Sequence, residues 1–270
     1  MQSLIYQTVK TRSGQAGYIK LGSGDPLIMV IGYSGTLFHW NQFFINELAN
    51  NFTVYLIDNR KVGLSDSTNE ESIHGFATDI VEFIQSMNLN NPIIFGWSMG
   101  GAIVQELVKS YPSIPKQIII MSSVPQIPYT NPDFSKFLSD AGSYSAADFK
   151  NKLYWFFFSE MNPDIKSYLI DSALVISNYH YRFTNIARDL QDYAVPNWSG
   201  MSIADLNDLK IPVLILWAKN DVVVGFDAIS LLLNNIKDAK LVAYPNGGHF
   251  LMHLHSKKMA LDIVNFCKHQ

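Results

Sequence analysis

Three residues far apart in the chain have the types and placement for nucleophilic chemistry. Ser98 stands in Gly96-Trp97-Ser98-Met99-Gly100-Gly101, a Gly-x-Ser-x-Gly pattern between a β-branched run and a stretch of helical period. A serine hydroxyl is a weak nucleophile near neutral pH, so it needs a base, and the base needs a group that orients it. Asp221 lies four residues beyond Trp217 and His249 five beyond Tyr244, each just past an apolar run. Each of the three therefore falls at the carboxyl end of a strand candidate, in the order Ser98, Asp221, His249. The glycines around Ser98 allow a tight, strained turn that projects the hydroxyl clear of the backbone. The helix that follows offers free N–H groups and the positive end of its dipole beneath the reacting centre.

The competing residues fit less well. His39 and His74 stand near helix starts, His180 lies in an aromatic-rich stretch, and His269 is next to last. His253 and His255 follow His249 closely and are expected at the start of the last helix. A metal set of His249, His253 and His255 lacks the glutamate that a zinc-binding helix would supply, so no metal and no organic cofactor is expected. Among the acids, Asp205 and Asp208 precede the penultimate strand candidate, and Asp227 and Asp238 lie too far beyond it.

The elements that must position these residues are legible as alternating periods. Residues 27–32, 53–58, 92–97 and 116–122 are apolar without alternation, as strands of a parallel sheet buried on both faces tend to be. Between them, 40–50 gathers Phe43, Phe44, Ile45 and Leu48 toward one side, and 72–87 spaces Phe76, Ile80, Phe83, Ile84 and Met87 by three and four. A third helix candidate, 99–110, is stopped by Tyr111 and Pro112. The rhythm resumes with strand candidates 212–217 and 239–244 and a closing helix at 254–267. Strand and helix in repetition predict an α/β fold with helices on both faces of the sheet.

The rhythm breaks between 124 and 200. Those 77 positions of 270 hold 16 of the 35 aromatics, five of them in the unbroken run 154–158, and they read as helical. A length of 270 allows roughly 1.8 domains at about 150 residues each. The expected division is one core split in sequence, 1–123 and 201–270, with 124–200 as an inserted lid.

Composition excludes several classes. An apolar share of 48% with 16% charged residues belongs to a folded chain. A balance of 20 basic and 23 acidic residues, net −3, with no basic run, argues against a nucleic-acid partner. The single cysteine, Cys267, rules out an internal disulfide and suits a reducing compartment. Apolar runs such as 27–31 are five residues long, against the roughly twenty that cross a bilayer. Residues 1–20 have no signal-peptide pattern, so a cytoplasmic location is expected. The sequence gives no oligomeric state.

On these residues the chain resembles the α/β-hydrolase superfamily over nearly its whole length. Residues 96–101 resemble its nucleophile elbow. Residues 57–66 resemble its Asp-x-Arg-Gly-x-Gly-x-Ser segment: Asp58, Arg60, Gly63 and Ser65 match, Lys61 replaces a glycine, and the set is read as fixing a loop. Residues 124–200 resemble its helical cap. The resemblance implies the α/β-hydrolase fold, a mostly parallel doubly wound sheet with an inserted helical cap. It implies Ser98 as nucleophile, His249 as base, Asp221 as orienting acid, and an oxyanion hole from the backbone N–H groups of Tyr33 and Met99. Ile31 stands where the family usually has a histidine before Gly32. A serine at the elbow argues against the dehalogenases and epoxide hydrolases, which use aspartate, and Met99 argues against proline iminopeptidases, which usually carry tryptophan there.

The implied function is a serine hydrolase that cleaves a small, mostly apolar carboxylic ester through an acyl-enzyme. The alternatives are hydrolysis of a carbon–carbon bond in a β-diketone-like substrate, or a non-catalytic small-molecule binder. An aromatic-rich cap predicts an apolar acyl or aryl pocket with few polar groups, unless those aromatics are the cap's own core.

Overall fold

The apolar runs lie side by side in a nine-stranded sheet. In the computed structural model, which describes residues 5–126, 130–140, 143–159 and 183–268, the strands are β1 (Tyr6–Lys10), β2 (Gly14–Gly22), β3 (Asp25–Val30), β4 (Phe52–Ile57), β5 (Asp66–Ser67), β6 (Ile93–Trp97), β7 (Gln117–Met121), β8 (Val213–Ala218) and β9 (Ala239–Tyr244). Their order is β1-β2-β4-β3-β6-β7-β8-β9, with β5 on β2. From β4 to β9 every pairing is parallel, and β1, β2 and β5 are antiparallel. This is the α/β-hydrolase fold.

The lack of alternation in the parallel strands follows from burial on both faces. Ile28 and Val30 of β3 join one apolar cluster, with α2 (Ile73–Ser86) and α3 (Met99–Ser110). Leu27, Met29 and Ile31 join the other, with α1 (Gln42–Ala49) and the last helix of the chain, Ser256–Lys268. Each such side chain taken out of water is worth about 1.5–3 kcal/mol. The expectation that Phe43 shares the buried side of α1 is corrected: it is 77% exposed. At 100° per residue it lies about 145° from the centre of the Phe44, Ile45 and Leu48 stripe.

β1, β2 and β5 have no counterpart among the expected strands. β1 carries a polar, largely exposed sequence, and its hairpin with β2 is specified by pairing to β4 rather than by an apolar run.

Between β7 and β8 the structure places α4 (Pro132–Ser139), α5 (Ala146–Phe158), α6 (Asn185–Ala194) and α7 (Ile203–Asp208). His180 lies outside the described residues, as does His269. In the aromatic run, Phe156 and Phe158 are buried while Trp155 is 52% exposed. α5 packs on a 3-10 helix, Gly248–His253, that carries His249. Among the described residues no helix is long and apolar enough to cross a membrane.

One topological fact selects the site. β3 pairs with β4 on one side and β6 on the other, both in parallel, and the chain leaves β3 toward β4 but reaches β7 from β6 in the opposite direction. The connections diverge there, opening a crevice beyond the carboxyl ends of β3 and β6.

Candidate active site

Ser98 sits at that crevice between β6 and α3, with φ 55 and ψ −121. A positive φ at a non-glycine residue is costly and persists only where its surroundings enforce it. Here the Ser98 N–H donates to the Met121 carbonyl at 3.0 Å, and the Ser98 carbonyl accepts from Gly101 N–H at 2.8 Å. The glycines are required by space as well: a Cβ on Gly96 would lie 2.2 Å from the Gly100 oxygen, and one on Gly100 would lie 2.1 Å from the Val30 oxygen.

Asp221 and His249 arrive from loops after β8 and β9. Asp221 Oδ1 accepts the backbone N–H groups of Val223 and Val224 at 2.8 and 3.0 Å. Its Oδ2 faces His249 Nδ1 at 3.1 Å, with both side chains almost fully buried. A carboxylate can only accept, so Nδ1 carries the proton, leaving Nε2 as acceptor for the Ser98 hydroxyl at 2.9 Å. The structure thus brings Ser98, His249 and Asp221 into one hydrogen-bonded line.

The imidazole is held on all sides. Trp97 Nε1–H donates to the His249 carbonyl at 2.9 Å, and Gly248 N–H donates to Asn220 Oδ1 at 2.9 Å. Phe157 of α5 stacks on the ring at 5.8 Å and 14°. The hydroxyl of Ser159, just past α5, donates to the Asn220 carbonyl at 2.6 Å.

Tyr33 and Met99 flank Ser98 from the β3 loop and the first turn of α3. Among the described residues neither backbone N–H has an acceptor in the protein. A Cβ on Gly32 would come within 3.0 Å of the Ser98 Cβ, which shows how closely the β3 loop approaches the serine. The Tyr33 hydroxyl donates to Asp192 of α6, and burial with that bond pushes its pKa up to about 12. The next N–H, of Ser34, donates to Gln191 Oε1 at 2.8 Å.

The other histidines point elsewhere. His253 Nδ1 accepts from Asn41 Nδ2 at 3.0 Å, and burial together with nearby His39 lowers its pKa to about 3. His255 Nε2 donates to Asn246, and His74 meets Glu106. His253 lies in the 3-10 helix rather than in the closing helix where it was expected. Among the described residues no three potential ligands of the His, Cys, Asp or Glu type converge. Asp58, Arg60 and Ser65 lie on the far side of the β3 loop. Asp58 Oδ1 accepts Leu37 N–H at 2.9 Å, Arg60 pairs with Asp79 at 2.7 Å, and Ser65 Oγ–H donates to the Asp58 carbonyl at 2.8 Å.

A cavity of about 670 Å³ opens over Ser98. Phe134, Leu138, Val195 and Trp198 give it an apolar side, and Arg188, Gln191 and Asp192 a polar one. None of the run 154–158 lines it: Phe156 and Phe158 are buried in the apolar clusters, and Phe157 stacks on His249. Sequence reasoning missed Gln191 and Phe157. For Gln191 a signal existed: it falls in the stripe Ala187, Leu190, Gln191, Ala194, the one polar member of a buried helical face.

Residues 25–256 match the family described as alpha/beta hydrolase fold. An AB hydrolase superfamily protein, YisY, of Bacillus subtilis is 25% identical, covering 91% of this chain and 92% of its own. A pimeloyl-[acyl-carrier protein] methyl ester esterase of Nitrosospira multiformis is 22% identical over 92% and 96%. Among solved structures, an alpha/beta hydrolase fold protein from Chitinophaga pinensis superposes with a TM-score of 0.85 at 22% identity, covering 99% and 98%. The 2-hydroxy-6-oxo-6-phenylhexa-2,4-dienoate hydrolase of Rhodococcus sp. strain RHA1 gives 0.82 at 18%, covering 98% and 99%.

Proposed function

The chain belongs to the alpha/beta hydrolase fold family, and on that footing we propose that it is a serine hydrolase acting on a small carboxylic ester. The observation that carries this reading is the continuous line from Ser98 Oγ through His249 to an Asp221 carboxylate whose other oxygen is tied to two backbone N–H groups. A module that only binds a ligand has no use for a buried imidazole oriented in this way.

In this mechanism Ser98 Oγ attacks the ester carbonyl carbon as its proton passes to His249 Nε2. Asp221 fixes the tautomer and stabilises the imidazolium, and the Tyr33 and Met99 N–H groups receive the oxyanion. His249 then protonates the departing alcohol, and a water that gives its proton to Nε2 attacks the acyl-enzyme and frees the acid. Residues 124–200 act as a cap over the core formed by 1–123 and 201–270, and the cavity between Phe134, Trp198 and Ser98 takes an acyl group of modest size. With a single cysteine, half-buried Cys267, the chain forms no internal disulfide, which suits a cytoplasmic protein.

A second reading has one observation in its favour. The same three residues serve cleavage of a carbon–carbon bond beside a carbonyl, and Arg188 on the cavity's polar side would suit an acidic substrate.

A fluorophosphonate probe is expected to label the wild-type protein and not Ser98→Ala. Equal labelling of the two would remove the nucleophile assignment. A panel of p-nitrophenyl esters of rising acyl length, run beside a dienol ring-fission substrate, separates the two readings, and inactivity on every ester would overturn the first.

A further inference from the structure

The loop that carries Tyr33 is not self-supporting. Ser34 has φ 55, a left-handed conformation unfavourable for a residue with a Cβ. Within the loop a single turn bond, from Gly35 N–H to the Gly32 carbonyl at 3.1 Å, closes the bend. Asn59 Nδ2 donates to the Ile31 carbonyl at its start and Asp58 accepts the Leu37 N–H at its end. The anchors of its middle come from α6, more than 150 residues later: Gln191 Oε1 accepts the Ser34 N–H, and Asp192 accepts the Tyr33 hydroxyl. Two consecutive helical residues thus hold two consecutive residues of the loop.

The state of Gln191 supports a dedicated role. It is fully buried, and because an N–H must meet the amide oxygen, its orientation is fixed with Nε2 turned away. That Nε2 has no partner among the described residues. A buried orphan donor is tolerated in return for the one bond that Oε1 makes. The helix itself is seated on the core at both ends: its N-cap Thr184 also reaches the Lys61 carbonyl at 3.4 Å, and Trp198, just beyond it, donates to Glu106 at 3.0 Å.

We propose that Gln191 is a positioning residue, which by holding the Ser34 N–H aims the neighbouring Tyr33 N–H at the oxyanion and so completes the hole only while α6 is docked. The inference rests on the reading of Ser98 as nucleophile and Tyr33 N–H as oxyanion donor. The Tyr33 amide gains its charged partner in the transition state, so the loss of Gln191 acts on kcat and spares substrate binding.

The test uses Gln191→Met, close in length and volume but without the amide, and Tyr33→Phe, which removes only the second anchor. For each, kcat and KM are measured on a short p-nitrophenyl ester, alongside the Ki of an aryl trifluoromethyl ketone, whose adduct with Ser98 bears the same oxyanion. Expected for Q191M is a kcat lower by about tenfold or more, within the ~10²-fold that ångström-scale misplacement costs. KM should stay within about twofold and Ki rise in step with the fall in kcat; Y33F should show a smaller change of the same kind. Unchanged kcat and Ki in both variants, or a loss confined to KM, overturns the proposal. Should Q191M lose its cooperative melt, Y33F decides on the same readouts. If wild-type protein neither hydrolyses the ester nor takes a fluorophosphonate, the underlying reading fails and this inference with it. An active wild type with indifferent variants defeats this inference alone.

Discussion

The strand-end half of the site and the helical segment facing it are held by different kinds of interaction. Ser98, Asp221 and His249 are fixed by backbone: a turn closed by Gly101 N–H, a carboxylate on two amides, a loop with Gly247 and Gly248 at positive φ. The facing half reaches the site mainly through side chains, Phe157 on the imidazole, Ser159 on Asn220, Gln191 and Asp192 on the β3 loop, with a backbone bond from Asn131 N–H to the Val223 carbonyl at 3.0 Å beside them. Backbone geometry admits few alternatives, whereas side-chain contacts can be exchanged for others of similar energy. The first half is therefore suited to chemistry and the second to selecting what is presented to it.

The sharpest way to break that comparison is to remove chemistry from the first half while leaving its fold intact. Ser98→Ala and His249→Ala should each lower kcat by about 10⁴–10⁶-fold, and both together by little more than either, since members of one catalytic unit are not additive. Asp221→Asn, which leaves the amide bonds of Oδ1 in place but favours the wrong imidazole tautomer, should cost about 10⁴-fold. Ester kinetics with matched melting curves would check this. Independent, multiplying losses for Ser98 and His249 would mean that the line they form is not a working unit.

Next in size is the backbone itself. Gly100→Ala forces a Cβ against the Val30 carbonyl, and about 3 kcal/mol of stability should be lost in urea unfolding, the upper end of what overpacking costs. No single alanine in the side-chain contacts of the facing half should cost as much with so small a change in volume.

These two halves also differ in how much of them could be read in the sequence. The strand ends were legible because each demand there is local: a glycine-flanked serine after a buried strand, a carboxylate and a histidine at fixed short distances past two others. The same locality explains the limits. β1 escaped notice because its polar residues become a strand only by pairing with β2, and β2 because glycines and polar residues break up its apolar ones until pairing with β4 extends it. Phe157 could not be separated from its aromatic neighbours, because its stacking on His249 depends on how α5 docks. Gln191 was marked only by being polar in an apolar stripe, and the identity of its partner, Ser34, lies 157 positions away.

The 3-10 helix that carries His249 also carries a second histidine, His253. His253 is buried beside His39 with its pKa lowered to about 3, against 6.5 when exposed. The unfolded chain therefore binds its proton more readily than the fold does. The stability this neutral ring permits is fully present above pH 6.5 and is lost as pH falls from 6.5 toward 3. At pH 5 the loss from this group should be about 2 kcal/mol, with His39 shifting in the same direction. Urea midpoints at pH 7 and pH 5 would measure it; His253→Asn should flatten the difference, and an equally steep pH dependence in that variant would assign the effect to other groups.

On the facing side, Phe157→Ala should lower kcat/KM by about tenfold or less, the equivalent of the roughly 0.5–1.5 kcal/mol an aromatic pair contributes. The Tm should fall by only a few degrees, since the residue is half-buried. A loss as large as that of Asp221→Asn would show that the stacked ring aligns the imidazole as firmly as the carboxylate does, and the distinction between the halves would weaken.

The smallest effect has the opposite sign and sits where the halves meet. Lys61 occupies a position at φ 63 and pairs its ammonium with Asp66 at an exposed site, while its carbonyl accepts from Thr184 of the α6 cap. A left-handed lysine costs about 1–2 kcal/mol relative to glycine. Glycine also loses more chain entropy on folding, which offsets part of that gain. An exposed ion pair returns little. Lys61→Gly should therefore stabilise the fold by about 0.5–1 kcal/mol, read as a rise in the urea midpoint at unchanged slope. Because the Thr184 bond uses only the backbone carbonyl, activity should stay within about twofold. A destabilised variant would place the missing energy in the Lys61 side chain, and a stabilised but slower one would show that strain at this turn is passed through Thr184 to the helix that holds the β3 loop.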